Sequence, residues 1–158
     1  NKAPMTKNGL INLQKQLNDL KNIKRPAIVN NIKKAREFGD LKENAEYHAA
    51  KEEQFLNEKK IKDIENKILN ANVIDVTKIE NNNKIMFGAT VKLKNLSNNQ
   101  IISYTIVGED EADISNLKIS ILSPLARALI LKSINNIIKV NVKNNPIEYK
   151  IVKIEYII

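Results

Sequence analysis

The chain has 158 residues and a formal net charge of +8, a length that predicts one domain or two small ones with a sizeable core. The absence of cysteine excludes disulfides and thiolate metal sites, and the short apolar runs and polar first residues predict neither a transmembrane helix nor a signal peptide, so a cytoplasmic protein is expected. The charge fits an anionic partner such as nucleic acid, but it fits AT-rich codon usage equally well, because the chain has 25 Ile, 24 Asn and 23 Lys but only 3 Arg.

The first half of the chain has the apolar spacing of a coiled-coil helix. Thr6 is a suitable N-cap, and leucines follow at steps of three and four residues in Leu10, Leu13, Leu17 and Leu20. We expect the same helix face to continue through Ile23 or Ala27 and then Ile28, Ile32 and Ala35.

Proline and glycine divide this helical pattern. Pro26 lacks an amide donor and should kink the helix or lie in the first turn of a new segment. Gly39 can adopt the left-handed conformation that ends a helix, and Asp40 can cap the next helix at once. That second helix should run to about Asn70, with these residues facing its partner: Leu41, Ala45, Ala49, Leu56, Ile64 and Ile68.

Two such helices predict a long antiparallel coiled-coil hairpin over residues 1–75. About thirty residues per helix, at a rise of 1.5 Å each, give a rod roughly 45 Å long. A rod this thin has little core of its own. Its free end should therefore be exposed to solvent.

The second half has the alternating pattern of strands. Residues 76–84 are interpreted as a linker, and residues 85–158 as a small domain with a mostly antiparallel sheet. Strands are expected at 84–96, 100–108, 137–142 and 147–157. Ser123 and Pro124 predict the start of a short helix, with serine as the cap. The expected fold class is thus α+β.

Asp40 and Glu43 allow two interpretations. Their spacing fits a capping box, in which each side chain binds a backbone amide at the helix start. Their position at the end of a rod instead suggests part of a Mg²⁺ site, since Mg²⁺ is often held by one or two carboxylates together with phosphates and water. Spacing favours the cap and position favours chemistry, so both remain open.

Other charged residues are less informative. The cations near the hairpin end either contact phosphates or form a solvated helix face: Lys33, Lys34, Arg36, Lys42 and Lys51. His48 is the only histidine, which argues against a histidine metal site. The acidic segment 108–113 is interpreted as a solvated loop rather than a cation site. No phosphate-binding glycine loop or nucleophile motif is present.

The stretch "AREFGDLKENAEYHAAKEEQ", residues 35–54, resembles the tip motif of the bacterial Gre family of transcript cleavage factors. It matches the A subtype, because the B subtype usually has "GD(R/L)SENADY". The resemblance extends along the chain in the correct order, through "APMT" at 3–6, "ANVIDVTK" at 71–78, "YTIVGEDEAD" at 104–113 and "SPLARALI" at 123–130.

This resemblance implies a non-enzymatic factor that binds RNA polymerase. Its C-terminal domain, similar in fold to FK506-binding proteins, would dock at the secondary channel, and its hairpin would enter the channel. Asp40 and Glu43 would help hold the second Mg²⁺ of the polymerase and orient the water that cleaves backtracked RNA near its 3′ end.

Further contacts follow as expectations. Residues expected to contact nucleic acid or polymerase at the tip are Arg36, Lys42, Asn44, Tyr47 and Lys51. Residues expected to dock on the polymerase are Ser123, Pro124 and Arg127. A monomer is expected, without membrane association; a weak contact with DNA is a further expectation, although the charge alone does not establish it.

Two alternatives and one departure accompany the resemblance. A prolyl isomerase shares the C-terminal fold, but its pocket needs clustered aromatics, and this half has no Trp and only Phe87, Tyr104, Tyr149 and Tyr156. A coiled-coil adaptor would use its tip structurally, so that amide substitutions at Asp40 and Glu43 would be silent. Leu131 occupies a position where the family often has glycine.

Overall fold

The structure, a computed structural model, describes residues 2–40, 42–78 and 83–156. It divides into a helical unit, Leu10–Asn70, and a sheet unit formed by the described residues before Leu10 and after Asn70. Within the expected linker, Val76–Lys78 forms a 3₁₀ turn, whereas residues 79–82 lie outside the described ranges, as does Leu41. None of the helices in those ranges is long and apolar enough to cross a membrane.

The helical unit is a hairpin with two arms. The first arm comprises α1 (Lys7–Asp19), a π-helical turn (Leu20–Lys24) and α2 (Arg25–Arg36). The second arm is the single helix α3 (Ala45–Leu69), which ends one residue before the expected Asn70, and Asn70 is its C-cap.

Ion pairs between the arms establish that they run antiparallel. Lys21 Nζ lies 3.0 Å from Glu65 Oε2, and Arg25 makes two bonds to Glu58, at 2.9 and 2.7 Å. The bond from Arg25 lowers the pKa of the Glu58 carboxyl, and the bond to Glu58 raises the pKa of Arg25. Because these groups are exposed, the pairs align the arms more than they stabilise them.

A π-helical turn forms at the interruption that was expected near Pro26. The Arg25 amide donates to the Leu20 carbonyl five residues earlier, and Pro26 lies in the first turn of α2. A proline ring inside a helix clashes with the carbonyl four residues before it and leaves that carbonyl without a donor. The wider turn accommodates this defect without ending the helical arm.

The first arm packs much as its spacing predicts. It buries these expected residues: Leu13, Ile28 and Ala35. The continuation through Ile23 or Ala27 is wrong, because Ile23 is 66% exposed and Ala27 is also exposed. The π turn adds one residue to the repeat, so the coiled-coil seam (the residues that face the other arm) passes from Leu20 to the half-buried Arg25.

The seam of α3 differs from expectation. Ala45, Ala49 and Leu56 were expected on it but are exposed. The observed seam repeats at steps of three and four residues through Tyr47, Ala50, Gln54, Asn57, Ile61, Ile64 and Ile68, all buried or half-buried. Hydrophobicity misplaces the seam because two of its members are polar, while the apolar Phe55 and Leu56 face solvent.

The sheet unit contains seven strands. They are β1 (Ala3–Thr6), β2 (Ala71–Ile74), β3 (Thr90–Asn95), β4 (Ile101–Val107), β5 (Lys118–Ser120), β6 (Ile137–Val142) and β7 (Asn145–Glu155). The main sheet has the order β5-β4-β3-β7-β6 and is antiparallel except for β4 and β5. The short strands β1 and β2 pair in parallel and, like β5, were not expected from the sequence.

Helix α4 (Pro124–Leu129) covers the main sheet. Alternate strand residues, two residues of the segment before β3 and one face of α4 form the core: Ile85, Ala89, Val91, Leu93, Ile106, Ile119, Ala126, Leu129, Ile138, Val140 and Ile151. The expected α+β class is confirmed, and the Ser-Pro helix start forms, although the strand expected at 84–96 is shorter and covers only Thr90–Asn95.

The acidic segment 108–113 is not simply a solvated loop. Glu111 is half-buried and accepts hydrogen bonds from the amides of Thr6, at 3.0 Å, and Gly108, at 2.9 Å. The Thr6 hydroxyl also bonds Glu111 and, as expected of an N-cap, accepts from the Gly9 amide at 3.0 Å. Glu111 thus anchors the segment that begins α1, which local sequence patterning could not reveal.

Leu131 has a left-handed backbone conformation, at a position where the family often has glycine. Its φ is 68°, in the left-handed region, and its amide donates to the Ile85 carbonyl at 2.8 Å. A left-handed conformation costs a residue with a Cβ about 1–2 kcal/mol, a penalty that glycine avoids.

We predict that Leu131→Gly stabilises the sheet unit by about 0.5–1 kcal/mol, because the relief of strain exceeds the added chain entropy of glycine. Leu131 is 58% exposed, so little apolar burial is lost. Urea unfolding followed by tyrosine near-ultraviolet circular dichroism measures the change. Leu122→Gly is the control: Leu122 is 52% exposed without a positive φ, so it should destabilise. Equal losses in both variants would contradict the strain argument.

Candidate functional site

The tip loop, residues 37–44, joins α2 to α3. The expectation that Asp40 caps α3 in a capping box with Glu43 is wrong. Asn44 is the N-cap: it has an extended backbone, φ −87° and ψ 96°, and its Oδ1 accepts from the Tyr47 amide at 3.1 Å. Asn is a preferred N-cap residue. The sequence did not single it out, because Asp40 and Glu43, a few residues before it, have the spacing of a capping box.

The Asn44 side chain also binds the end of the first arm. Its Nδ2 donates to the Ala35 carbonyl at 2.6 Å, and the same carbonyl accepts from the Phe38 amide at 3.1 Å. A single amide side chain therefore satisfies backbone groups at the end of α2 and the start of α3.

The tip loop is held by further local bonds. Gly39 has the expected positive φ, 104°, but it lies within the tip loop and does not end the helix, because α2 ends at Arg36 with Glu37 as its C-cap. Asp40 Oδ1 accepts from the Lys42 amide at 3.0 Å, and His48 Nε2 lies 3.0 Å from the Lys42 carbonyl oxygen. His48 thus contributes to the loop, a role its isolated position in the sequence did not indicate.

Asp40 and Glu43 are exposed and line one open depression. Phe38, Ala45 and Glu46 also line it. Among the contacts of the described residues, Asp40 Oδ2 and both Glu43 oxygens have no hydrogen-bond donor. Carboxylate oxygens are the ligands that Mg²⁺ prefers. No set of three or more metal-binding side chains occurs within the described ranges.

The residues expected to make tip contacts divide into two groups. Arg36, Lys42 and Lys51 are exposed, and Lys51 Nζ donates to Gln54 Oε1 at 3.2 Å. Asn44 and Tyr47 are half-buried and serve the hairpin itself, one as the cap and the other on the seam.

Phe38 is a residue that the sequence did not bring to notice. It is 74% exposed beside the two carboxylates. Its signal was only an aromatic residue next to a turn glycine, which is too common to mark a site.

The expected docking residues lie at the start of α4. Ser123 is its N-cap: its Oγ accepts from the Ala126 amide at 3.2 Å and donates to the Ser120 carbonyl at 2.6 Å. Pro124 and Arg127 are exposed. Ser123 is therefore engaged within the fold, whereas Pro124 and Arg127 are available to a partner.

Comparison with known proteins defines the class. Residues 3–73 match the family model described as transcription elongation factor, N-terminal, and residues 80–156 match that described as transcription elongation factor, GreA/GreB, C-term. Together the two models span both structural units. The two matches assign the chain to the class of transcription elongation factors.

Full-length relatives refine this assignment. The chain is 51% identical to transcription elongation factor GreA of Buchnera aphidicola subsp. Acyrthosiphon pisum (strain Tuc7), covering 99% of each chain. It is 52% identical to GreA of Francisella tularensis subsp. novicida, covering 98% of this chain and 97% of that protein. The chain belongs to the GreA/GreB family, and the expected A subtype is confirmed.

One solved structure is similar to most of the chain. The Gfh1 protein of Thermus thermophilus is similar over 98% of this chain and 99% of its own, with 22% identity and a TM-score of 0.45.

We predict that Asn44→Ala destabilises the hairpin by about 1–2 kcal/mol, the usual loss for an N-cap, because Tyr47 and Ala35 each lose a hydrogen-bond partner. Thermal unfolding followed by far-ultraviolet circular dichroism measures the loss.

Two variants serve as controls for that prediction. Asn44→Asp keeps the acceptor for Tyr47 but not the donor for Ala35, so its loss should be intermediate. Asp40→Ala should change stability by less than Asn44→Ala. A larger loss of stability in Asp40→Ala than in Asn44→Ala would instead indicate that Asp40 is the cap.

Proposed function

We propose that this chain stimulates the Mg²⁺-dependent cleavage of nascent RNA by bacterial RNA polymerase. In this proposal its hairpin enters the secondary channel of a backtracked complex and presents Asp40 and Glu43 near the RNA 3′ end. Removal of the extruded RNA restores an aligned 3′ end, so that elongation resumes. The observation that carries the proposal is a pair of exposed carboxylates, on one tip loop, that do not cap a helix.

At the tip, one residue caps the helix and two other residues carry the exposed carboxylates. This separation supports the proposed function over a purely structural tip. Asn44 performs the capping that spacing had assigned to the acidic pair. Glu43 has no structural partner among the described contacts, and Asp40 uses one oxygen within the loop. Carboxylates that stabilise little in their own chain are suited to act on a partner.

The chemistry asked of Asp40 and Glu43 is limited. As ionised acids they are acceptors only, so they can bind a cation or accept the hydrogen bonds of a water and thereby orient it. A second Mg²⁺, held jointly with the polymerase, would stabilise charge on the reacting phosphate oxygens. The chain would thus complete a site that the polymerase already contains in part.

Exposed cations at the tip fit an RNA or polymerase partner. Arg36, Lys42 and Lys51 are exposed on the tip loop or on the helical turns beside it, and they can contact phosphate oxygens. Such contacts position a backbone without reading its sequence. They also attract nucleic acid in general, which accommodates a weak contact with DNA.

The sheet unit would supply the docking surface. Pro124 and Arg127 are exposed at the start of α4, beside the exposed Leu122. An apolar residue next to an arginine is a usual composition for a protein interface. We further propose that this unit has the fold of FK506-binding proteins without their isomerase activity, and that the chain acts as a cytoplasmic monomer.

We predict that Asp40→Asn with Glu43→Gln slows RNA cleavage at least about 100-fold, which corresponds to about 2.7 kcal/mol of lost transition-state stabilisation at 1.36 kcal/mol per tenfold. Single-turnover cleavage of labelled RNA in a backtracked complex gives the rate. The Mg²⁺ concentration for half-maximal rate should rise, because the amides cannot replace the charge of the ligands.

Glu52→Gln with Asp63→Asn is the matched control, since it removes the same two charges from exposed positions along α3. It should leave the cleavage rate unchanged. If the tip variant cleaves as fast as wild type, the carboxylates do not act in the reaction. If wild type binds polymerase but releases no 3′ fragment, the proposed function itself is wrong.

A further inference from the structure

Asn57 is a polar residue inside the coiled-coil seam. Its side chain is 2% exposed, and its Nδ2 donates to the Leu20 carbonyl at 3.2 Å. Its Oδ1 is buried without a hydrogen-bond partner among the described residues. An unsatisfied buried acceptor costs about 1–3 kcal/mol, so this residue is not there to maximise stability.

The partner of Asn57 is the carbonyl that defines the π turn. The Leu20 carbonyl also accepts from the Arg25 amide, which closes the wide turn. The next residue of α3, Glu58, binds the Arg25 side chain at 2.9 and 2.7 Å. Consecutive residues of α3 therefore contact both ends of the π turn.

The π turn determines which face of α2 meets α3. It contains one residue more than an α-helical turn, and one residue corresponds to a rotation of about 100° and a rise of 1.5 Å. If the turn moved along the arm or relaxed to α geometry, the residues beyond it would rotate away from the seam. A polar residue at a seam position can select one such arrangement at a cost in stability.

We propose that Asn57 is a positioning residue: by binding the Leu20 carbonyl it fixes the π turn at Leu20–Lys24, and with it the rotation of α2 against α3. The rotation of α2 sets where the tip loop presents Asp40 and Glu43. The effect on RNA cleavage rests on the proposed function, whereas the effect on the hairpin does not.

The first test uses the full-length chain alone. Because it has no cysteine, Asn30→Cys and Glu53→Cys place two nitroxide labels at exposed sites on the two arms beyond the π turn. Electron–electron double resonance should give one narrow distance for otherwise wild-type protein. Asn57→Leu should broaden or shift that distance while leaving thermal stability equal or higher, since leucine replaces an unsatisfied amide.

Two further variants sharpen this result. Gln54→Leu also makes a polar seam position apolar, but Gln54 bonds only Lys51 of its own helix among the described contacts, so its distance should stay narrow. Arg25→Lys removes the paired bonds to Glu58 at a half-buried seam position while keeping the positive charge, and it should broaden the distance without unfolding the chain.

The second test measures cleavage at saturating factor. A displacement of the order of 1 Å can cost about 100-fold in rate, so Asn57→Leu should lose about 10- to 100-fold in cleavage with unchanged polymerase binding. Gln54→Leu should reduce neither the cleavage rate nor polymerase binding.

An unchanged narrow distance in Asn57→Leu overturns the proposal, as does a stability loss matched by a proportionate loss of binding. A shifted distance with full cleavage overturns the link to the tip. If wild type fails to cleave, the proposed function is wrong, and the distances still decide the role of Asn57.

Discussion

The two hydrogen bonds made by the Asn44 side chain are the contacts on which the tip depends. Its Oδ1 accepts from the Tyr47 amide at the start of α3, and its Nδ2 donates to the Ala35 carbonyl near the end of α2. With both ends of the loop fixed by one residue, the intervening segment does not have to cap either helix. Asp40 and Glu43 can therefore face solvent as charged groups without weakening the hairpin that carries them.

Much of the fold follows from spacing and local residue preference. The leucine repeat predicted the first arm because burial of one helix face imposes a period close to 3.6 residues. Thr6 and Ser123 were identified as caps because a side-chain oxygen can replace a missing backbone partner. The family resemblance added the acidic pair as a site, which spacing alone could not separate from a cap.

The remaining features depend on contacts between distant residues. Gln54 and Asn57 lie on the seam although they are polar, because position relative to the other arm, not hydrophobicity, decides which residues are enclosed. Glu111 is half-buried where Thr6, far away in sequence, supplies two of its donors and the nearby Gly108 amide a third. The π turn could be expected only as an interruption at Pro26, since its form also involves the bond from Asn57 of α3 to the Leu20 carbonyl, which local patterning does not reveal.

The left-handed turn residues connect nucleotide composition to backbone geometry. The chain has 4 glycines and 24 asparagines, and asparagine takes a positive φ at Asn83, Asn99, Asn135 and Asn144. Asparagine codons are rich in A and T, whereas glycine codons begin with two guanines. The chain thus forms several left-handed turns with asparagine, which tolerates that conformation better than most residues with a Cβ, and at Leu131 it retains a strain that glycine would remove.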